Sequence, residues 1–223
     1  PYDAAVQSYQ LVKATLEQSG ASVIANDEVY AIEQLGPEQV LVTTHKHRIT
    51  ARKVLLCTNA YSLTLDPYFE GKVIPTRAQC LVTEPLPEPV INTCGYSDYG
   101  YLYYRSTFDG RFLIGGGRKD YRDQEGDIIE DRVTDNVQSV LESYMRRRFP
   151  ELVAPVAYRW AGTMGFSVDG LPLVGTLPGK PDVGFAVGFH GHGVAMSAEV
   201  TRRAVDMLIK GVHPGAVSAD RLH

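Results

Sequence analysis

One segment constrains this chain more than any other: Gly188-Phe189-His190-Gly191-His192-Gly193-Val194-Ala195. It follows the apolar run Val183–Val187 and opens a stretch with apolar residues at helical spacing. Strand, glycine-rich turn and helix in direct succession let a backbone approach a flat or anionic ligand and aim N–H groups at it. The spacing predicts a helix over about 194–210, with Ala198, Val205, Leu208 and Ile209 inward and Gly211 ending it. The same residues also suit a plain tight connection with His190 and His192 as exposed turn histidines, so the turn by itself leaves its role open. No G-x-G-x-x-G occurs anywhere in the chain.

With 223 residues, the chain is long enough for one large or two small domains. Hydrophobic residues at 44% and charged residues at 22% place it among ordinary globular chains. A net charge of −4 gives no electrostatic case for nucleic acid or an anionic membrane surface. Cys57, Cys80 and Cys94 lie far apart with no C-x-x-C spacing, which argues against zinc and against a disulfide scaffold; Cys57 reads as a small core residue. There is no span-length apolar run and no signal peptide, so a cytoplasmic location is expected.

Along the chain, Asp3 is positioned to cap a helix over 4–19 whose inward face is Ala5, Tyr9, Val12 and Leu16. A strand at Ala21–Ala25 follows. A hairpin of Val29–Leu35 and Val40–Thr44 turns at Gly36-Pro37, and Arg48–Lys53 adds a third strand or turn. Val54–Cys57 reads as a strand buried on both faces. Lys72–Glu84 is a long strand, and Tyr99–Ser106 with Arg111–Gly115 forms a second hairpin. Asp131–Phe149 fits a helix with Val133, Val137, Val140, Leu141 and Tyr144 inward; Ala157–Met164 and Leu171–Val174 are short strands.

Several of these segments together resemble the FAD-dependent D-amino acid oxidase-like superfamily. Val54-Leu55-Leu56-Cys57-Thr58-Asn59-Ala60-Tyr61 is similar to its V-x-x-A-T-N-A-Y strand, and Val73-Ile74-Pro75-Thr76-Arg77-Ala78-Gln79 to its V-x-P-x-R-G-Q strand. Tyr103-Tyr104-Arg105, Asp109-Gly110-Arg111 and Gly115-Gly116-Gly117 resemble its second hairpin. Trp160-Ala161-Gly162, Asp169-Gly170-Leu171-Pro172 and Gly191-His192-Gly193 complete the series in the family's order and spacing.

The resemblance implies a fold class combining α/β and α+β: the distal part of an FAD-binding α/β domain (1–62 and 163–223) with an inserted, mostly antiparallel substrate-binding sheet domain (63–162). The family's pyrophosphate-binding strand-turn-helix is expected upstream of Pro1, so the chain alone is expected to be inactive. For cofactor contacts the resemblance implies Val29 through its backbone, Asn59 at a strand's carboxyl end, and Gly191, His192, Gly193 and Val194 at the flavin edge, where a helix N-terminus favours negative charge. Gly162 stands where some relatives carry a flavin-linked cysteine, so the FAD is expected to be non-covalent.

For substrate the candidates are Tyr101, Tyr103, Arg77, Gln79 and Met164, with Tyr99, Tyr101 and Tyr103 expected on one strand face. Arg77 equally suits a carboxylate partner within the protein. Glycine oxidase-like members carry a carboxylate-clamping arginine where this chain has Met164, and sarcosine oxidase-like members a lysine where it has Ala195. A larger amine, or one whose carboxylate is held elsewhere, therefore fits better than a small amino acid zwitterion. His190 and His192 are weak acid–base candidates. The implied activity is oxidation of the C–N bond of a small amine or amino acid to an imine. The competing readings are a substrate domain that binds no FAD, and a flavin domain of a tRNA-modifying enzyme, which the acidic balance disfavours.

Overall fold

A computed structural model describes residues 5–222. In chain order the elements are α1 (Ser8–Ser19), β1 (Val29–Gly36), β2 (Gln39–Thr44), β3 (Arg48–Ala51), β4 (Val54–Leu56), β5 (Val73–Thr83), β6 (Cys94–Ser97), β7 (Leu102–Ser106), β8 (Phe112–Gly116), α2 (Arg122–Glu125), α3 (Asp135–Arg148), β9 (Val156–Ser167), β10 (Leu173–Leu177), β11 (Lys180–Val187) and α4 (Gly193–Lys210). They group into two units, one of residues 1–73 and 165–223, the other of residues 74–164.

The first unit holds two three-stranded sheets. In one, β1, β2 and β3 follow each other antiparallel, as alternating apolar residues around Gly36-Pro37 dictate. In the other the order is β10-β11-β4, with β11 antiparallel to β10 and parallel to β4. Leu56, Phe69, Leu173, Val183, Phe185 and Val187 are buried in one cluster, where the rings of Phe69 and Phe185 meet edge to face at 5.1 Å. Asp182, at the start of β11, accepts from the Glu38 N–H and Gln34 Nε2, each at 2.7 Å, and pairs with Lys53. This carboxylate ties the β1–β2 hairpin to β11.

The second unit is a five-stranded sheet of order β6-β7-β8-β5-β9 with α3 against it. Val137, Leu141 and Met145 recur at i, i+4 and i+8 and bury against Leu81, Phe112 and Ile114. Pro150 follows the helix end.

The structure departs from the sequence reading at several elements. Residues 21–25 form no strand. Asp3 lies outside the described residues, and the cap of α1 is Gln7, whose side chain accepts from the Gln10 N–H. Tyr9, Val12 and Leu16 share a face as predicted, yet α1 buries nothing among the described residues. In α4 the inward residues are Val200, Ala204 and Leu208, whereas Ala198, Val205 and Ile209 are exposed. Only Leu56 of β4 is fully buried, and Cys57 is exposed just past its end. Among the described residues β4 lies at the edge of its sheet, with β11 as its partner. Val133 precedes α3 and is exposed. Among the described residues no helix is long and apolar enough to cross a membrane.

Candidate functional site

The turn between β11 and α4 is built by left-handed backbone and held by one asparagine. Gly188, His190 and Gly191 have φ of 74°, 51° and 80°, so the chain reverses within four residues. Asn59 follows β4, itself at φ 47°, a conformation asparagine tolerates better than most residues. Its Oδ1 accepts from the Gly188 N–H at 3.0 Å and the Phe189 N–H at 3.4 Å. The exit of β11 is thereby fixed to the exit of its parallel neighbour. From the other side, the His190 N–H donates to the Gly165 carbonyl at 3.0 Å, and Phe166 bridges Phe189. A Cβ at Gly165 would lie 2.6 Å from Asn59 Oδ1 and 3.0 Å from the Ala60 nitrogen, so glycine alone admits this approach.

The N-terminus of α4 is open. His192 provides no side-chain cap, and the helix ladder begins with the Ala195 and Met196 N–H groups on the His192 carbonyl. The N–H groups of Gly193 and Val194 lie outside that ladder. Gly191, His192 and Val194 are exposed. His192 Nδ1 is 2.8 Å from the His190 carbonyl; a carbonyl only accepts, so Nδ1 carries the proton and Nε2 is the nitrogen left to act. The His190 ring packs on Phe166 at 4.4 Å. Beside the turn, Ser167 is buried and its Oγ has no hydrogen-bond partner among the described residues. A Cβ at Gly188 would stand 3.3 Å from Ser167 Cβ. Uncommitted helix amides, an orphaned buried hydroxyl and glycine at the points of closest approach fit a planar, carbonyl-bearing anion such as a flavin edge. Val29, at the start of β1, packs against the core of the same unit.

The second unit carries the other candidate residues. Arg77 and Gln79 do share a face of β5, and both are buried. Arg77 clasps Glu125 through Nε at 2.7 Å and Nη2 at 3.0 Å. Gln79 Nε2 donates to the same carboxylate and to Thr134 Oγ1, while its Oε1 accepts from the Thr134 N–H and Gln138 Nε2. Glu125 holds the Arg77 guanidinium above its usual range. These donors are turned into the protein, and Glu125, which sequence reasoning passed over, is their receiver.

Tyr99 and Tyr101 are not on the strand, as the alternation rule had required. Tyr99 sits at φ 54° in the turn before β7 and is almost wholly exposed, and Tyr101 ends that turn. Only Tyr103 is on β7; its hydroxyl is 3.5 Å from Cys80 Sγ, and burial pushes the phenol well up. A Cβ at Gly115 would collide with the Tyr103 ring at 2.4 Å. Gly162 and Met164 are two apart on β9, on one face, both half-buried. No atom comes within 4 Å of the position a Gly162 Cβ would take.

The sequence model of FAD dependent oxidoreductases matches residues 1–207. The chain is 28% identical over 203 residues to gamma-glutamylputrescine oxidoreductase of Escherichia coli, covering 86% of this chain and 44% of that protein. It is 27% identical over 206 residues to glycine oxidase of Pseudomonas aeruginosa, covering 88% and 53%. The chain thus spans about half the length of the curated relatives it matches. Among solved structures, L-proline dehydrogenase from P. horikoshii superposes with a TM-score of 0.75 at 22% identity, over 94% of this chain and 56% of that one, a likeness of fold.

Proposed function

The chain belongs to the family of FAD-dependent oxidoreductases, and from that premise we propose that the protein carrying it oxidises the C–N bond of a small amine or amino acid to an imine. The observation that carries the reading is the open N-terminus of α4, presented by a turn that Asn59 holds in place. Relatives whose names specify gamma-glutamylputrescine and glycine support the substrate class. Bound FAD supplies the two-electron oxidising power.

In this reading the N–H groups of Gly193 and Val194 hold the anionic edge of the ring, and Ser167 Oγ offers a further polar contact. Gly191 and His192 shape the approach, and Val29 makes a backbone contact. Gly162 has no side chain with which to form a covalent link, so the FAD is bound non-covalently. Tyr101, Tyr103 and Met164 contact the substrate, while Arg77 and Gln79, committed to Glu125, brace the sheet behind them. A substrate that binds as the neutral amine needs no strong base, which leaves His192 Nε2 the most a histidine contributes here.

The test is retention of flavin by the purified full-length protein. Wild type should be yellow and oxidise an amine. Gly191→Val forces a β-branched residue to φ 80° and should lose most of its flavin while the remainder of the fold survives. A colourless wild type that stays colourless with added FAD would leave the chain as a substrate domain that binds no cofactor.

A further inference from the structure

We propose that Cys80 is a positioning residue for Tyr103: its sulfur takes the O–H of the phenol, which leaves the phenol oxygen as an acceptor for an N–H of the substrate amine. The assignment rests on the amine-oxidising reading above. It narrows the substrate class to primary and secondary amines, which keep an N–H when neutral.

The sheet of the second unit builds this pair by a cross-strand row. Tyr103 of β7 lies opposite Gly115 of β8, and Gly115 lies opposite Cys80 of β5. Their neighbours Tyr104, Ile114 and Leu81 pack in the cluster that α3 joins, so the row looks out from the other face of the sheet. With β8 between them, β5 and β7 are two strand spacings apart, about 9.5 Å. The tyrosine bridges that gap because the strand between carries no side chain at this point. A Cβ at Gly115 would stand 2.4 Å from Tyr103 Cε2 and 2.6 Å from Cys80 Sγ. The glycine thus lets the ring lie across β8 and brings the hydroxyl to 3.5 Å from the sulfur.

Both groups are protonated at neutral pH, because burial raises the thiol and pushes the phenol well up. Two protons are therefore present, and one lies between oxygen and sulfur. An O–H is a strong donor and an S–H a weak one, so the phenol donates. Among the described residues the Tyr103 oxygen has no other hydrogen-bond partner, and its side chain is half-buried rather than sealed. An oxygen whose proton is turned to sulfur keeps its lone pairs for a donor, and an amine N–H is such a donor. The phenol stays neutral, so it binds the amine without taking a proton from it. A neutral tertiary amine has no N–H to offer and forgoes the contact.

A double-mutant cycle in the full-length protein, read by calorimetric titration, separates this assignment from the oxidation reading. The probe is tert-butylamine, which has no hydrogen on the carbon next to nitrogen and so binds without turnover. Tetramethylammonium matches its charged form in size and has no N–H. Tyr103→Phe should weaken tert-butylamine binding about 3- to 10-fold and Cys80→Ala about 2- to 5-fold. In the Tyr103→Phe background Cys80→Ala should add nothing. Tetramethylammonium should bind all four proteins alike, which also shows that the variants fold. The Raman difference between wild type and Cys80→Ala isolates the Cys80 S–H stretch, and the same difference in the Tyr103→Phe background gives it without the phenol. A donated S–H stretches at lower frequency, so the band should not rise when the hydroxyl is removed; a rise makes sulfur the donor and overturns the proposal. Equal losses from Cys80→Ala in both backgrounds, or parallel loss of both ligands as from a merely structural role, overturn it even if amines are oxidised. Binding of tert-butylamine that depends on Tyr103 and Cys80, in a protein that oxidises no amine, sustains the pair and removes the oxidation reading.

Discussion

At the scale of single residues, two side chains each serve as the acceptor for several donors at once. Asn59 joins two demands, a left-handed backbone and an acceptor for two N–H groups. The two are separable. Asn59→Gly keeps the backbone conformation and should cost about 1–3 kcal/mol for the orphaned amides. Asn59→Ala should cost about 1–2 kcal/mol more, because alanine resists the left-handed region. Equal chemical-denaturation midpoints for the two variants would show that strain plays no part at this position. Glu125 is the second such residue. Glu125→Gln leaves Arg77 as an uncompensated buried cation and should destabilise the protein by about 3–5 kcal/mol, and replacing Arg77 with methionine in the same background should recover much of that loss. A Glu125→Gln variant as stable as wild type would mean that the pair is solvated. Asn59 was legible in the sequence from its place after an apolar strand. Glu125 was not, because it is one acid beside Asp120, Asp123 and Asp127 in a polar stretch, and nothing local marks it as the partner of the arginine 48 residues before it.

At the scale of elements, periodicity predicted what shares a face but not what lies against that face. The β1–β2 hairpin, β5, α3 and α4 follow from apolar spacing, turn residues and helix stops. The inward stripe of α4 is Val200, Ala204 and Leu208 because sheet contacts at β10 and β11 select it, and the competing stripe through Val205 and Ile209 is just as apolar in sequence. The Tyr99–Tyr103 alternation failed for a local reason: left-handed residues at Asp98 and Tyr99 break the strand before β7 begins. The attachment of the hairpin to β11 gives an acid-sensitive prediction. The bond from Lys53, then the Glu38 N–H, lowers the Asp182 carboxyl below its ordinary value of 3.8. The unfolded chain therefore takes up this proton first as pH falls, so the stability contributed by Asp182 is complete above that value and is lost as pH drops through the folded pKa. Urea midpoints of wild type should fall across that range, and those of Asp182→Asn, lower at neutral pH, should fall less. Parallel pH profiles for the two proteins would refute the account.

At the scale of the whole molecule, ligand binding should appear as stability. On the proposed reading the turn of the first unit holds the flavin in the folded state alone, and FAD at about one hundred times its Kd should then add about 2.7 kcal/mol. Thermal melting with and without FAD measures this, and Gly191→Val should abolish the increment without abolishing the melt. Local runs of residues were enough for the family, for the β1–β2 hairpin, β5, α3 and α4, and for the glycines of the turn between β11 and α4, because these depend on residues close together along the chain, whereas the strand expected at 21–25 is absent and β6 had no local signal. Packing settles which faces α3 and α4 bury, that Arg77 and Gln79 serve Glu125, and that Arg118 stands over Tyr101. Each of those facts is a pairing between distant segments, and pairing energy depends on geometry that no local run of residues encodes.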